Sequence, residues 1–94
     1  MRVISNKRLV EFAALHPKAT VPLKAWRKHM ESSHFARFAD LKVTFGGIDR
    51  VQNFYVFDIG GNKFRLIAAI HFDRQVVYVR NVLTHAECDR WKPS

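Results

Sequence analysis

Lys63, Arg65, Arg80 and His85 are the residues whose types and spacing could do chemistry in this chain, with Asp89 close behind. Positions 63 and 65 are two apart, so on a strand both side chains leave the same face. Arg80 joins that face from the next strand if the turn around Asp73-Arg74-Gln75 has two or four residues. A three-residue turn would drive Arg80 into the core. Three cations held this close repel one another unless an anion sits among them. A phosphodiester meets that need, because guanidinium groups bind phosphate oxygens through two parallel N–H donors. Imidazole titrates near neutrality and can move a proton. The chemistry these residues suggest is attack of a ribose 2′-hydroxyl on the adjacent phosphorus. Arg65, Arg80 and His85 are the candidate catalytic residues. The two guanidinium groups would stabilise charge on the phosphorane oxygens, and His85 would take part in proton transfer. Lys63 would bind the phosphate or act as base. Asp89, one helical turn beyond His85, can orient the imidazole or pair with Arg90. The plainer alternative is a set of solvated strand residues, with Asp58 neutralising Lys63.

Further residues suit RNA contact. Lys24 and Lys28 lie on the outer face of a basic helix, although a solvated charged face is the commoner meaning of such a pattern. Tyr78 and Trp91 are candidates for base stacking beside the basic face. Trp26 reads as core. Gly60-Gly61-Asn62-Lys63 lacks the serine or threonine of a phosphate loop and precedes a strand, so it reads as a hairpin turn. No two histidines and a carboxylate fall at metal-ligand spacing, so neither a metal nor another cofactor is expected.

These side chains need a scaffold. Arg2 to Ser5 reads as a short strand, with Ser5 or Asn6 capping a helix that carries Leu9, Phe12 and Ala13 and stops at Pro17. Thr20 and Pro22 open a second helix, Val21 to Glu31, that buries Leu23, Trp26 and Met30. Asp40 to Phe45 reads as one further helical turn, ended by Gly46-Gly47. From Phe54 the period changes to two. A two-residue Gly60-Gly61 turn would pair Phe57 with Phe64 and Asp58 with Lys63. Phe64, Leu66, Ala68, Ile70 and Phe72 then share the core face, with Val77, Val79 and Leu83 added from the third strand and Arg80 opposite Ile67. Thr84 can cap a short helix running to Trp91. The fold class is α+β, a single domain over 1–94 without repeats or linkers.

The chain has 94 residues, 48% of them hydrophobic and eight of them Phe, enough for one modest core. Sixteen Lys plus Arg against eight Asp plus Glu give a net charge of +8, which favours a polyanionic partner. One cysteine, Cys88, excludes an internal disulfide and suits a reducing compartment. No apolar stretch suits a signal peptide or a membrane span, so a cytoplasmic location is expected.

The sequence resembles the HigB family of bacterial toxins within the wider RelE-like group. The likeness rests on Tyr55-Val-Phe-Asp-Ile-Gly-Gly-Asn-Lys-Phe-Arg-Leu-Ile, Val77-Tyr-Val-Arg and Thr84-His-Ala-Glu, supported by Leu23-Lys-Ala-Trp and Asp40-Leu-Lys. It implies helices packed on one side of a curved antiparallel sheet, with a short helical tail. It implies an endoribonuclease that cuts messenger RNA, typically in the ribosomal A site. It also implies a cognate antitoxin with a helix-turn-helix DNA-binding domain, through which the pair reaches operator DNA. The family's functional basic positions map onto Arg65, Arg80 and His85, with Lys63 adjacent. Where such toxins commonly carry tyrosine after THAE, this chain carries Cys88. A non-catalytic RNA- or ribosome-binding module, arresting translation without cleavage, is the alternative on the same basic face.

Overall fold

A computed structural model describes residues 1–4, 6–61 and 63–91. Strand β1 (Arg2–Ile4) leads into helix α1 (Asn6–Leu15), where Leu9 and Phe12 are buried at helical spacing. Ser5, an expected cap, lies outside the described residues. Pro17 stops α1 as its missing N–H requires, and one 3₁₀ turn, Pro17–Ala19, bridges to α2 (Thr20–Ser32). Thr20 lies inside α2 instead of capping it. Helix α2 buries Leu23, Trp26 and Met30, as the spacing predicts. Helix α3 (Phe38–Thr44) begins before Asp40, whose carboxylate accepts the Ala36 and Arg37 N–H groups at 2.9 and 3.3 Å. The carboxylate therefore caps the helix it was expected to start.

Four more strands follow: β2 (Asp49–Val51), β3 (Phe54–Ile59), β4 (Phe64–His71) and β5 (Val76–Thr84). Helix α4 (His85–Arg90) closes the described chain. The sheet order is β1-β5-β4-β3-β2. All pairs are antiparallel except β1 with β5. The arrangement is α+β, as expected from the change of period. Strand β2 was not anticipated, because all three of its residues are exposed and carry no alternation.

One face of the sheet carries Tyr55, Phe57, Ile59, Phe64, Leu66, Ala68, Val77 and Val79 into a core with Leu9, Phe12, Leu23, Trp26, Met30, Phe35 and Leu41. Helices α1 to α3 therefore cover that face. Val56 and Ile67 are buried on the opposite face, outside this cluster. There Phe54 meets Trp91 edge-on, ring centroids 5.7 Å apart.

Two registers differ from expectation, and both matter for the site. The first hairpin pairs Ile59 with Phe64 and Asp58 with Arg65, so its loop spans 60–63 instead of two residues. Gly60 and Gly61 supply positive φ angles of 64° and 71°. A slip of two keeps every side chain on its expected face and sets two buried apolar residues, Ile59 and Phe64, opposite each other. It also gives Asp58 to Arg65 and not to Lys63.

The second difference is a bulge. The β4–β5 turn has four residues, with His71 opposite Val76 and Ala68 opposite Val79. Then Ile67 pairs with Asn81, which leaves Arg80 as the extra residue. The bulge reverses the alternation beyond it. Val82 packs on the core and Leu83 sits opposite Arg65, the reverse of the expected assignment. Gln75, in the turn, holds φ at 55° while its amide donates to the carbonyls of Phe35 and Phe72 at 2.6 and 2.8 Å. Those bonds offset the cost of a left-handed residue that is not glycine.

Candidate active site

Strand β4 delivers Arg65 to the face opposite the helices, at the end of the sheet where β5 runs into α4. Thr84 forms a capping box there: its hydroxyl accepts the Glu87 N–H at 3.2 Å, and the Glu87 carboxylate accepts the Thr84 N–H at 2.9 Å. The next backbone N–H, that of His85, donates to the Lys63 carbonyl at 3.1 Å. These bonds fix where the imidazole leaves the chain.

The imidazole is also held by its ring. Nη2 of Arg65 lies 2.9 Å from His85 Nδ1. Nε of Arg65 lies 3.2 Å from Asp58 Oδ1, and Nη1 donates to the Phe64 carbonyl at 3.1 Å. Nε2 of His85 lies 3.7 Å from Asp89 Oδ2. The row Asp58, Arg65, His85, Asp89 thus runs from strand β3 to the tail helix. The Arg65 side chain is 12% exposed, against 51% for His85. Asp58, the Phe64 carbonyl and His85 thus enclose most of the Arg65 guanidinium.

Arg80 is exposed. The bulge sets its guanidinium over the Phe54 ring, 5.4 Å from the centroid. Arg65 thus meets His85, and Arg80 rests on Phe54. That resting contact is weak, about 0.5–1 kcal/mol for an exposed pair, so an arriving phosphate can draw Arg80 away.

The remaining candidates scatter. Lys63 is exposed in the hairpin loop directly before β4, and its backbone already serves His85. Tyr78 pairs with Ala69 and stands edge-on to His71, about 13 Å along the strand from Arg65. Trp91 follows α4 with its ring against Phe54. Lys24 and Lys28 line a shallow surface of α2 with Arg27, Glu31 and Ser32, on the helical layer across the sheet from Arg65. They do not join the His85 cluster. Among the described residues, no group of three or more His, Cys, Asp or Glu is placed to hold a metal ion.

Sequence reasoning gave Asp58 to Lys63 instead of Arg65, and it missed the role of Gly47. A Cβ on Gly47 would run into the Asp58 carboxylate, so glycine there makes room for the acid that holds Arg65. Gly47 was legible only as a helix stop.

Cys88 faces the same cluster. Burial pushes its thiol up from the ordinary 9.0, opposed by Arg65 and reinforced by Asp89 and Asp58. A protonated, half-buried thiol is neither nucleophile nor base at neutral pH. Cys88→Ala is therefore expected to leave activity unchanged, and iodoacetamide to alkylate Cys88 more slowly than a free thiol. Glu87 is held below its ordinary 4.5 by the Thr84 backbone and side-chain hydrogen bonds. A carboxyl depressed in the folded chain stabilises it fully above the unfolded value, and that contribution fades as pH falls through the lower folded one. Helix α4 should fray below about pH 4.5, read as loss of amide protection at Glu87.

The HigB toxin family, described as the RelE-like toxic component of a toxin-antitoxin system, matches residues 19–91. The chain belongs to that family. It is 33% identical over 92 residues to the mRNA interferase toxin HigB of Escherichia coli K12, covering 95% of this chain and 88% of that protein. The mRNA interferase HigB of Shigella flexneri matches to the same extent. That of Escherichia coli O6:H1 strain CFT073 is 28% identical over 93 residues, covering 96% and 90%. Family membership covers β4, β5 and α4, the elements that assemble the Arg65–His85 contact. As a member of this family the chain is the toxin half of a pair, which implies a cognate antitoxin. No helix among the described residues is long and apolar enough to cross a membrane.

Proposed function

We propose that this chain is an endoribonuclease toxin that cleaves messenger RNA on the ribosome, without a metal, and so inhibits translation in the cytoplasm. The observation that carries this reading is the imidazole of His85, fixed on a rigid sheet by Arg65 with its other nitrogen turned toward an exposed carboxylate. The mRNA interferase names of the relatives support the same activity. The phosphate would be met by Arg80, drawn off Phe54, and by Lys63. The ribose 2′-oxygen bonds to phosphorus as the bond from phosphorus to the 5′-oxygen breaks. One proton leaves the 2′-hydroxyl toward the His85–Asp89 pair, and one reaches the departing 5′-oxygen from water. The products are a 2′,3′-cyclic phosphate and a free 5′-hydroxyl. Ribosome dependence fits a site that is a shallow, basic face, since the A site would present the messenger to it. The cognate antitoxin would carry a helix-turn-helix domain and bring the pair to operator DNA.

Primer extension on transcripts from briefly induced cells tests the activity. Discrete new 5′ ends inside translated frames are expected, absent when the ribosome-binding site of the same transcript is deleted. Translational arrest with uncut messenger would leave only a binding module. A phosphorothioate at the scissile position tests the metal claim. Its effect on rate should be the same in magnesium and in manganese, whereas rescue by manganese would place a metal on the phosphate.

A further inference from the structure

We infer that Asp58 is a positioning residue that acts through Arg65 to hold His85 as a neutral imidazole with its proton on Nε2, so that His85 meets the scissile phosphate as a hydrogen-bond donor and not as the base. This deepens the nuclease reading and rests on it.

The argument starts from what arginine can do. A guanidinium is always protonated and has donors only. With Nη2 of Arg65 at 2.9 Å, His85 Nδ1 must be the acceptor in that contact, and an acceptor nitrogen carries no proton. A neutral imidazole has one proton, which is then on Nε2. The opposite tautomer would aim an N–H at a cation, and an imidazolium would aim both an N–H and a positive charge at it. Asp89, on the same helix, faces Nε2 at 3.7 Å and favours a proton there. That separation is too long for a hydrogen bond, so the Nε2 donor stays available to a ligand.

Arg65 keeps this geometry because Asp58 holds it. The carboxylate sits opposite it on the neighbouring strand, takes Nε at 3.2 Å, and has its other oxygen over Gly47, where a Cβ would force it to move. With Nη1 on the Phe64 carbonyl, the guanidinium is fixed from two other directions and cannot follow an incoming phosphate. A neutral imidazole fixed in one tautomer can polarise an oxygen through its N–H without giving up the proton. The 2′-hydroxyl proton then passes to the Asp89 carboxylate, which returns it to solvent. Water protonates the 5′-oxygen.

The test joins a ring spectrum with a substitution. In the ¹⁵N spectrum of the full chain, His85 Nδ1 should give an unprotonated signal and Nε2 a protonated one, as a single fixed species. Asp58→Asn should average these toward a tautomer mixture and lower cleavage about ten- to a hundredfold, both read well below its thermal midpoint. Gly47→Ala should do the same to the spectrum without changing any charge. His85→Gln, which keeps a donor and cannot serve as a base, should cleave at least about tenfold faster than His85→Ala, whereas loss of a proton carrier, roughly 10²–10⁴-fold, would be the same in both. A proton found on Nδ1, a spectrum indifferent to Asp58→Asn, or His85→Gln as inactive as His85→Ala would each overturn the inference. The spectrum is read without any RNA. A chain with the fixed tautomer and no cleavage would sink the nuclease reading, and a cleaving chain with mixed tautomers would sink this one.

Discussion

Arg80→Ala is expected to lower messenger cleavage about 10²-fold, the lower end of the loss seen when a donor to a developing oxyanion is removed, since Arg80 must first leave Phe54. The fold should survive. Arg80 is exposed, it is the unpaired residue of the bulge, and among the described residues its side chain rests on the face of Phe54 at 5.4 Å. Losing that contact costs about 0.5–1 kcal/mol. In a domain of this size that moves the thermal midpoint by only a few degrees, about 4–8 °C for each kcal/mol. Growth arrest on induction and the thermal midpoint together check the prediction. Arg80→Lys separates charge from shape: a point charge restores attraction to phosphate but not the paired donors, so partial recovery is expected. A fully toxic Arg80→Ala chain would remove Arg80 from the site.

Phe57→Ala carries the largest expected loss of stability. Phe57 is fully buried, edge-on to Trp26 at 5.4 Å and to Phe45 at 5.2 Å, and ties β3 to α2 and to the end of α3. Truncating a buried phenylalanine costs about 3–5 kcal/mol, a fifth or more of the roughly 5–15 kcal/mol that holds a small domain together. Urea unfolding should show the midpoint falling sharply with an unchanged slope. Any loss of cleavage in this variant should track the unfolded fraction, unlike the loss in Arg80→Ala.

Much of the scaffold was legible because hydrophobic spacing is the strongest local signal in a chain. Leu23, Trp26 and Met30 marked the buried side of α2, and Phe64, Leu66 and Ala68 marked the core side of β4. Thr84 announced α4 through its capping box. What stayed hidden were relations between strands. A hairpin slip of two residues leaves every side chain on its own face, so periodicity cannot detect it; here it moved Asp58 from Lys63 to Arg65. A bulge adds one residue without any mark in composition, and it turned Arg80 toward Phe54. Strand β2 has no buried residue to betray it. The steric reason for Gly47 lies eleven positions away at Asp58. Chemistry-bearing residues could therefore be chosen by type, while the partners that set their roles could not.

The end groups of the cut RNA test the central claim most directly. A ribosome-bound messenger cleaved by the purified chain should yield an upstream fragment ending in a 2′,3′-cyclic phosphate and a downstream fragment with a 5′-hydroxyl. A single deoxynucleotide 5′ of the scissile bond should block the cut. Fragments bearing a 3′-hydroxyl and a 5′-phosphate, or undiminished cleavage beside the deoxynucleotide, would contradict attack by the 2′-oxygen and the roles assigned to Arg80, His85 and Asp89.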